Sequence, residues 1–192
     1  KVQTHTSIRM NFLEEAYEAV DALDLDDPVL MCEELGDVLM QVAFHTCMEQ
    51  ETGRFTWEQV CDGVCQKLIE RHPNIFGTQP GYEGITDWDA LKNKEKGRRT
   101  LADDLESVPR AMPALMRAAK LQKRAARHGA ALQGADAAAL ADAAENLQTA
   151  QPASAQAEQA VGELLFAAAN LARQAGVDPE QALQKANEAF CT

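Results

Sequence analysis

Apolar residues over the first 71 positions recur at intervals of three and four, the spacing of one face of an α-helix, and not at every second position. This pattern predicts a helix over 7–23, capped by Thr6 or Ser7 and ended by "DLDDP". A second helix opens at Pro28 and runs to Glu51, just before Gly53. Proline suits a first helical turn because the N–H it lacks has no intrahelical partner there. Thr56 caps a third helix, "TWEQVCDGVCQKLIER", which stops at His72-Pro73. "NIFGTQPGYEGITD" reads as loop, and "WDALKNKEKGRR" as a fourth helix. Then come a proline-punctuated hinge, "SVPRAMP", a basic helix to Gly129 and an alanine-rich tail, in which "QTAQPASAQAEQ" reads as flexible surface. No segment alternates apolar and polar residues as a half-buried strand does, so the predicted fold class is all-α.

The pattern also repeats. "ELGDVLMQVAFHTC" from Glu34 is echoed by "AVGELLFAAANLAR" from Ala160, and each is followed by a glycine-centred turn and a similar segment ("WEQVCDGVCQKL" and "PEQALQKAN"). The preceding helix is degenerate in the second copy ("ALADAAENLQTA"). Two tandem helical modules are expected, residues 1–100 and, with a linker helix, 101–192.

Polar positions in the first copy carry the candidate chemistry. Glu15 and Glu18, and likewise Glu34 and Asp37, are i,i+3 pairs that share a helix face. Folded about residue 26 as an antiparallel hairpin, the two helices bring Glu18 level with Glu34 and Glu15 level with Asp37, because both rise equally per residue. Glu15 also lies on the stripe Ile8, Phe12, Ala19, which is otherwise suited to burial. Four carboxylates so close repel one another and take up protons unless a cation holds them. Oxygen-only ligands select hard Mg²⁺ or Mn²⁺ over zinc. A decorative acidic helix face is the competing reading, whereas a di-iron bundle is disfavoured because the chain has no Glu-x-x-His pair.

Composition narrows the partners. A formal net charge of −12 argues against a nucleic-acid partner, so binding a polyanion such as a nucleotide requires a local reversal of the field, most simply by a metal ion. Five cysteines (Cys32, Cys47, Cys61, Cys65 and Cys191) show no zinc-ligand spacing and are expected to be reduced, buried thiols in a cytoplasmic protein. No apolar run of about 18 residues indicates a membrane span. The chain opens on Lys1 and not on Met, so further sequence before it is expected.

"EEAYE" (14–18), a fifteen-residue spacer and "ELGD" (34–37) together resemble the Glu-Glu-x-x-Glu…Glu-x-x-Asp motif of the MazG-type nucleoside triphosphate pyrophosphohydrolases. The likeness extends through "QTHTSIR", "GRFTWEQV", "KLIERHPNIFG", "WDALKNKEK", "VPRAMPALMRAAKLQKRA" and "LLFAAANLARQAG", nearly the whole chain. The resemblance implies an all-α, dimeric enzyme that cleaves nucleoside triphosphates to monophosphate and pyrophosphate with Mg²⁺, for which Mn²⁺ substitutes. It places the metal ligands at Glu15, Glu18, Glu34 and Asp37, and has Glu14 support them or orient the attacking water, so that Glu14, Glu15 and Glu18 form the catalytic set. Lys67 and Arg71 match positions that contact substrate phosphates, although as bare residues they also read as surface charge. Trp88 with Lys92 and Lys96 is a candidate for stacking a base and binding phosphate, and Asn11 for touching substrate; a tryptophan at a helix start also serves as a core anchor. His45 and His72 read as packing and turn residues. The same pattern puts Asn146 and Thr149 where Glu15 and Glu18 stand, while the internal repeat puts Ala160 and Glu163 where Glu34 and Asp37 stand, so only the first module is expected to work. Two alternatives stay open: a non-catalytic helical scaffold or regulator, and a relative specialised for one nucleotide such as dUTP, dCTP or phosphoribosyl-ATP.

Overall fold

In a computed structural model, which describes residues 3–73, 75–77 and 88–191, helix starts are set by side chains that take up first-turn N–H groups. α1 (His5–Asp24) is capped by Thr4, whose hydroxyl accepts from Ser7 N at 3.2 Å while Ser7 Oγ accepts from Thr4 N at 2.9 Å. The helix therefore starts earlier than Thr6 or Ser7, because Thr4 has the partner three residues on that closes a capping box. α2 (Pro28–Glu51) has the predicted bounds, with Asp27 Oδ1 accepting from Val29 N at 2.9 Å. α3 (Trp57–Arg71) starts at the predicted Thr56 cap. α4 (Trp88–Glu95) ends sooner than expected, just ahead of Gly97, which has a left-handed φ of 66°.

A short α5 (Leu101–Glu106), too brief to show periodicity, is held by a Thr100–Asp103 capping box. α6 (Ala114–Arg127), α7 (Ala137–Thr149), α8 (Ala155–Gln174) and α9 (Pro179–Cys191) follow. "QTAQPASAQAEQ" was expected to be flexible surface; instead only residues 150–154 connect α7 to α8, because Ser154 caps α8 by accepting from Ala157 N at 3.1 Å. The described residues contain helices and no strands, and no helix among them is long and apolar enough to cross a membrane. The predicted loop "NIFGTQPGYEGITD" lies, apart from residues 75–77, outside the described residues.

The chain divides into two units, Lys1–Thr86 and Asp87–Thr192. In the first, α1 and α2 form a hairpin through a tight turn at Asp26 (φ 53°), and α3 packs on α2. Its apolar core is thin: Ile8, Ala19 and Ala22 on α1 are buried, whereas the buried side chains of α2 are polar (Gln41, Thr46 and Glu49). Met10, Leu13, Tyr17, Val20, Leu35 and Leu39 remain exposed. The cysteines differ from expectation accordingly. All five are free, but Cys32, Cys47, Cys65 and Cys191 are exposed and Cys61 is half-buried.

The second unit packs α8 against α6 and α7, and its buried apolar residues are mostly alanines (Ala125, Ala143, Ala160, Ala167 and Ala169), which let helices approach closely. Polar ties lock this small-residue core. Gln122 Nε2 donates to Phe166 O at 2.7 Å, and Asn170 Nδ2 to Ala135 O at 2.6 Å. The largest tie is electrostatic: Asp104, 1% exposed, lies 3.0 Å from Arg124 Nη1, 2.9 Å from Arg127 Nη2 and 3.2 Å from His128 Nε2. Burial alone pushes the Asp104 carboxyl up, but hydrogen bonds from Arg127, Asn93 and His128 and the charge of Arg124 outweigh it and hold the group below the usual aspartate range.

A buried ion pair stripped of one partner leaves an uncompensated charge, so Asp104→Ala should destabilise the second unit by about 3–5 kcal/mol in urea unfolding. Because the folded-state value is depressed, the stability from Asp104 is present above the ordinary aspartate value and lost as pH falls through the depressed one, from about pH 3.9 downward. Acid titration of the parent should show this loss, and the alanine variant should lack it.

Candidate active site

The hairpin builds the site. Along α1, Ile8 and Ala19 are buried and Phe12 and Glu15 half-buried, so the predicted stripe does face the neighbouring helix and takes Glu15 with it. One turn on, Glu18 sits nearer the solvent. Glu34 meets both from the first half of α2. Glu15, Glu18 and Glu34 each present a carboxylate oxygen within 4.8 Å of the others.

The electrostatics of this group follow from its geometry. The Glu18 carboxyl is raised above the usual glutamate range because the surrounding protein removes part of its water, and the charges of Glu34, Glu15 and Glu14 push it further. Glu34 is raised in the same direction, first by desolvation and then by the charges of Glu33, Asp37 and Glu15. Asp37 is half-buried and near enough for its charge to act on Glu34, but it is not one of the three that converge. Glu14 is exposed, and its charge acts on Glu18. Like charges gathered this closely are relieved by taking up either a proton or a cation. The donors are all oxygen, which matches a hard divalent ion.

Two features escaped the sequence reading. Gln41 is 4% exposed, and its Nε2 donates to Glu15 Oε1 at 3.2 Å. The signal for it was its place one turn beyond Asp37 on the same face of α2. The second is a polar latch at the far end of the hairpin. His5 Nε2 contacts Glu49 Oε1 at 2.5 Å, Arg54 Nε contacts Glu49 Oε2 at 2.6 Å, and His5 and His45 are joined through their Nδ1 atoms at 2.6 Å. His45 stacks on His5 and meets Phe12 edge-on, in the packing role expected of it. His72 turns its Nδ1 to Leu68 O, at 3.0 Å, at the end of α3. Between α1 and α2 a cavity of about 510 Å³ opens, lined among others by Asn11, Glu15, Met40, Gln41 and Phe44.

The other candidates are placed as follows. Asn11 is exposed on α1 and lines that cavity. Lys67 is exposed and Arg71 half-buried, one turn apart on α3 in the same unit. Lys92 and Lys96 are exposed and belong to the second unit, and the Trp88 side chain lies outside the described residues. In the second unit, Ala160 is 2% exposed and Glu163 is exposed, with its Oε1 accepting from Gln159 Nε2 at 2.8 Å. Glu163 shares a cavity wall with Asp142 and Ala143; Asn146 and Thr149 are not among the residues lining it.

Comparison with known proteins bears on this arrangement. The profile of the MazG nucleotide pyrophosphohydrolase domain matches residues 3–76, the span that holds all three converging carboxylates. The chain is 39% identical over 199 aligned positions to the nucleoside triphosphate pyrophosphohydrolase of Escherichia coli (strain K12), covering 99% of this chain and 76% of that protein. It is 38% identical over 190 positions to a Thermotoga maritima protein named nucleoside triphosphate pyrophosphohydrolase/pyrophosphatase MazG, covering 98% and 73%. A nucleoside triphosphate pyrophosphohydrolase of Mycobacterium tuberculosis is 37% identical over 131 positions, covering 66% of this chain and 39% of that one.

Mutual repulsion in the cluster has a measurable consequence. The raised Glu34 carboxyl stabilises the metal-free fold below the ordinary glutamate value, and that contribution is lost as pH rises through the raised one, from about pH 4.3 upward. At neutral pH in chelator, Glu34→Gln should therefore raise the thermal midpoint slightly, as read by circular dichroism. A lowered midpoint would mean that the carboxylate is tied by attractive contacts.

Proposed function

This chain belongs to the MazG nucleotide pyrophosphohydrolase family, and from that premise we propose that it hydrolyses nucleoside triphosphates to nucleoside monophosphate and pyrophosphate at the α1–α2 carboxylate cluster. The observation that carries this reading is the convergence of Glu15, Glu18 and Glu34 within 4.8 Å from two helices, on the part of the chain that matches the family. Glu15, Glu18 and Glu34, joined by Asp37, are the residues that would hold a divalent cation. We assign Mg²⁺, with Mn²⁺ as substitute, because the donors are carboxylate oxygens with no sulfur or imidazole among them. When bound, the ion supplies neutralisation of phosphate charge and a lowered pKa for coordinated water.

The chain's own residues do the rest. Glu14, one turn from Glu18 on the exposed side of α1, orients a water toward the α-phosphorus and accepts its proton. A new P–O bond forms, the bond from the α-phosphorus to the bridging oxygen breaks, and pyrophosphate leaves with the bond's electron pair. Lys67 and Arg71 hold the departing phosphates as cations on α3, and Asn11 contacts the nucleoside from the cavity side.

The reading extends to assembly and to the second module. Met10, Leu13, Tyr17 and Val20 make one exposed apolar stripe on α1, supported by Leu35 and Leu39 on α2. An exposed patch of this kind marks a protein contact, and a second copy of the chain in a cytoplasmic homodimer is the occupant we propose. Residues 1–100 then form the catalytic module, and 101–192 a linker helix and a degenerate module kept for packing, since Ala160 is buried where Glu34 stands in the repeat.

Incubating the protein with each NTP and dNTP and Mg²⁺ should give monophosphate and pyrophosphate; diphosphate and phosphate would reject the chemistry. Glu18→Gln in the full chain should lower kcat by about 100-fold or more with the helices intact, the size of a loss of a few kcal/mol of charge stabilisation. Near-normal Mg²⁺-dependent turnover in Glu18→Gln would overturn the assignment of Glu18 as a metal ligand. Lys67→Ala should raise KM for the triphosphate while leaving kcat closer to that of the parent, and unchanged kinetics would mark Lys67 as surface charge only.

A further inference from the structure

Gln41 stands on α2 one turn beyond Asp37 and two beyond Glu34, on the face that carries both. Its side chain is 4% exposed, so water does not satisfy its amide. The bond from Nε2 to Glu15 Oε1, 3.2 Å long, crosses from one helix of the hairpin to the other. The acceptor decides which end of the amide faces it: an ionised carboxylate only accepts, so the nitrogen points to Glu15 and Oε1 points away. Among the described residues that Oε1 has no hydrogen-bond partner, which leaves the contact with Glu15 as the amide's polar anchor.

Glu15 needs such an anchor. Glu18 and Glu34 repel it, and Glu15 also lines the 510 Å³ cavity between α1 and α2, so it is not packed in place on every side. We infer that Gln41 is a positioning residue for the proposed metal centre, holding one oxygen of Glu15 so that the other faces Glu18 and Glu34 before a cation arrives. The inference rests on the metal-centre reading above and adds to it a residue outside the carboxylate motif. An outer group that fixes the orientation of a ligand changes metal affinity without itself touching the metal.

The test uses the full chain and Mn²⁺ as probe, with free Mn²⁺ followed by electron paramagnetic resonance. Gln41→Met keeps the length of the side chain and removes the donor. Its Kd for Mn²⁺ should rise roughly 10–100-fold, while kcat at saturating metal returns toward that of the parent and the metal-free thermal midpoint hardly moves. Gln41→His, which retains a ring N–H donor, should recover part of the affinity. Should Gln41→Met fail to fold, Gln41→Asn, which withdraws the amide from Glu15 by one methylene, is read in the same way. An unchanged Kd in a folded donor-deficient variant overturns the inference while leaving the metal centre standing. A parent protein that takes up no Mn²⁺ overturns the metal-centre reading and the inference with it.

Discussion

Like-charge repulsion between Glu15, Glu18 and Glu34 is the constraint around which the first unit is organised. Three carboxylates within 4.8 Å are unfavourable unless something holds the helices together against them. The hairpin supplies this at both ends: a tight turn at Asp26 on one side, and the His5–Glu49–Arg54 latch on the other. Between them, Gln41 Nε2 donates to Glu15 Oε1, a contact that bears on the orientation of Glu15 more than on the pairing of the helices. The buried apolar contribution is small, because only Ile8, Ala19 and Ala22 are buried on α1. A scaffold with this little core and this much concentrated charge gains from anything that neutralises the acids or covers its apolar stripe. The proposed cation and the proposed second copy would answer those two deficits.

The second unit handles burial and charge differently. Ala160 is buried where Glu34 stands in the first copy, and the helices close on one another through alanines. Charge in this unit is paired: Asp104 is enclosed by Arg124, Arg127 and His128, and its depressed carboxyl contrasts with the raised ones of the cluster. In one unit like charges are gathered together; in the other a buried carboxylate is paired with cations.

Much of this was legible in the amino-acid pattern. The bounds of α2 follow from Asp27-Pro28 and Gly53, and the facing of Glu15, Glu18 and Glu34 follows from helical spacing about a short turn. What pattern does not encode is competition between neighbouring options. Thr4, Thr6 and Ser7 are all plausible caps, and the choice depends on which one finds its partner three residues on. α5 is too short to show a period and exists through its capping box and the buried Asp104. The cysteines read as buried because their stripes are apolar, but burial depends on what covers a stripe, and periodicity does not say which stripe is covered. Gln41 was invisible for a related reason: a glutamine has no distinctive spacing, and its role comes from the acid opposite.

In the reading proposed above, the α1–α2 acids form one cation site and the second unit forms none. The direct measurement is an anomalous-difference map from crystals of the full chain grown with Mn²⁺. The account predicts density bounded by the carboxylates of Glu15, Glu18 and Glu34, and none beside Asp142 and Glu163. Density in the second unit alone, or bound Mn²⁺ with none at the cluster, would contradict it.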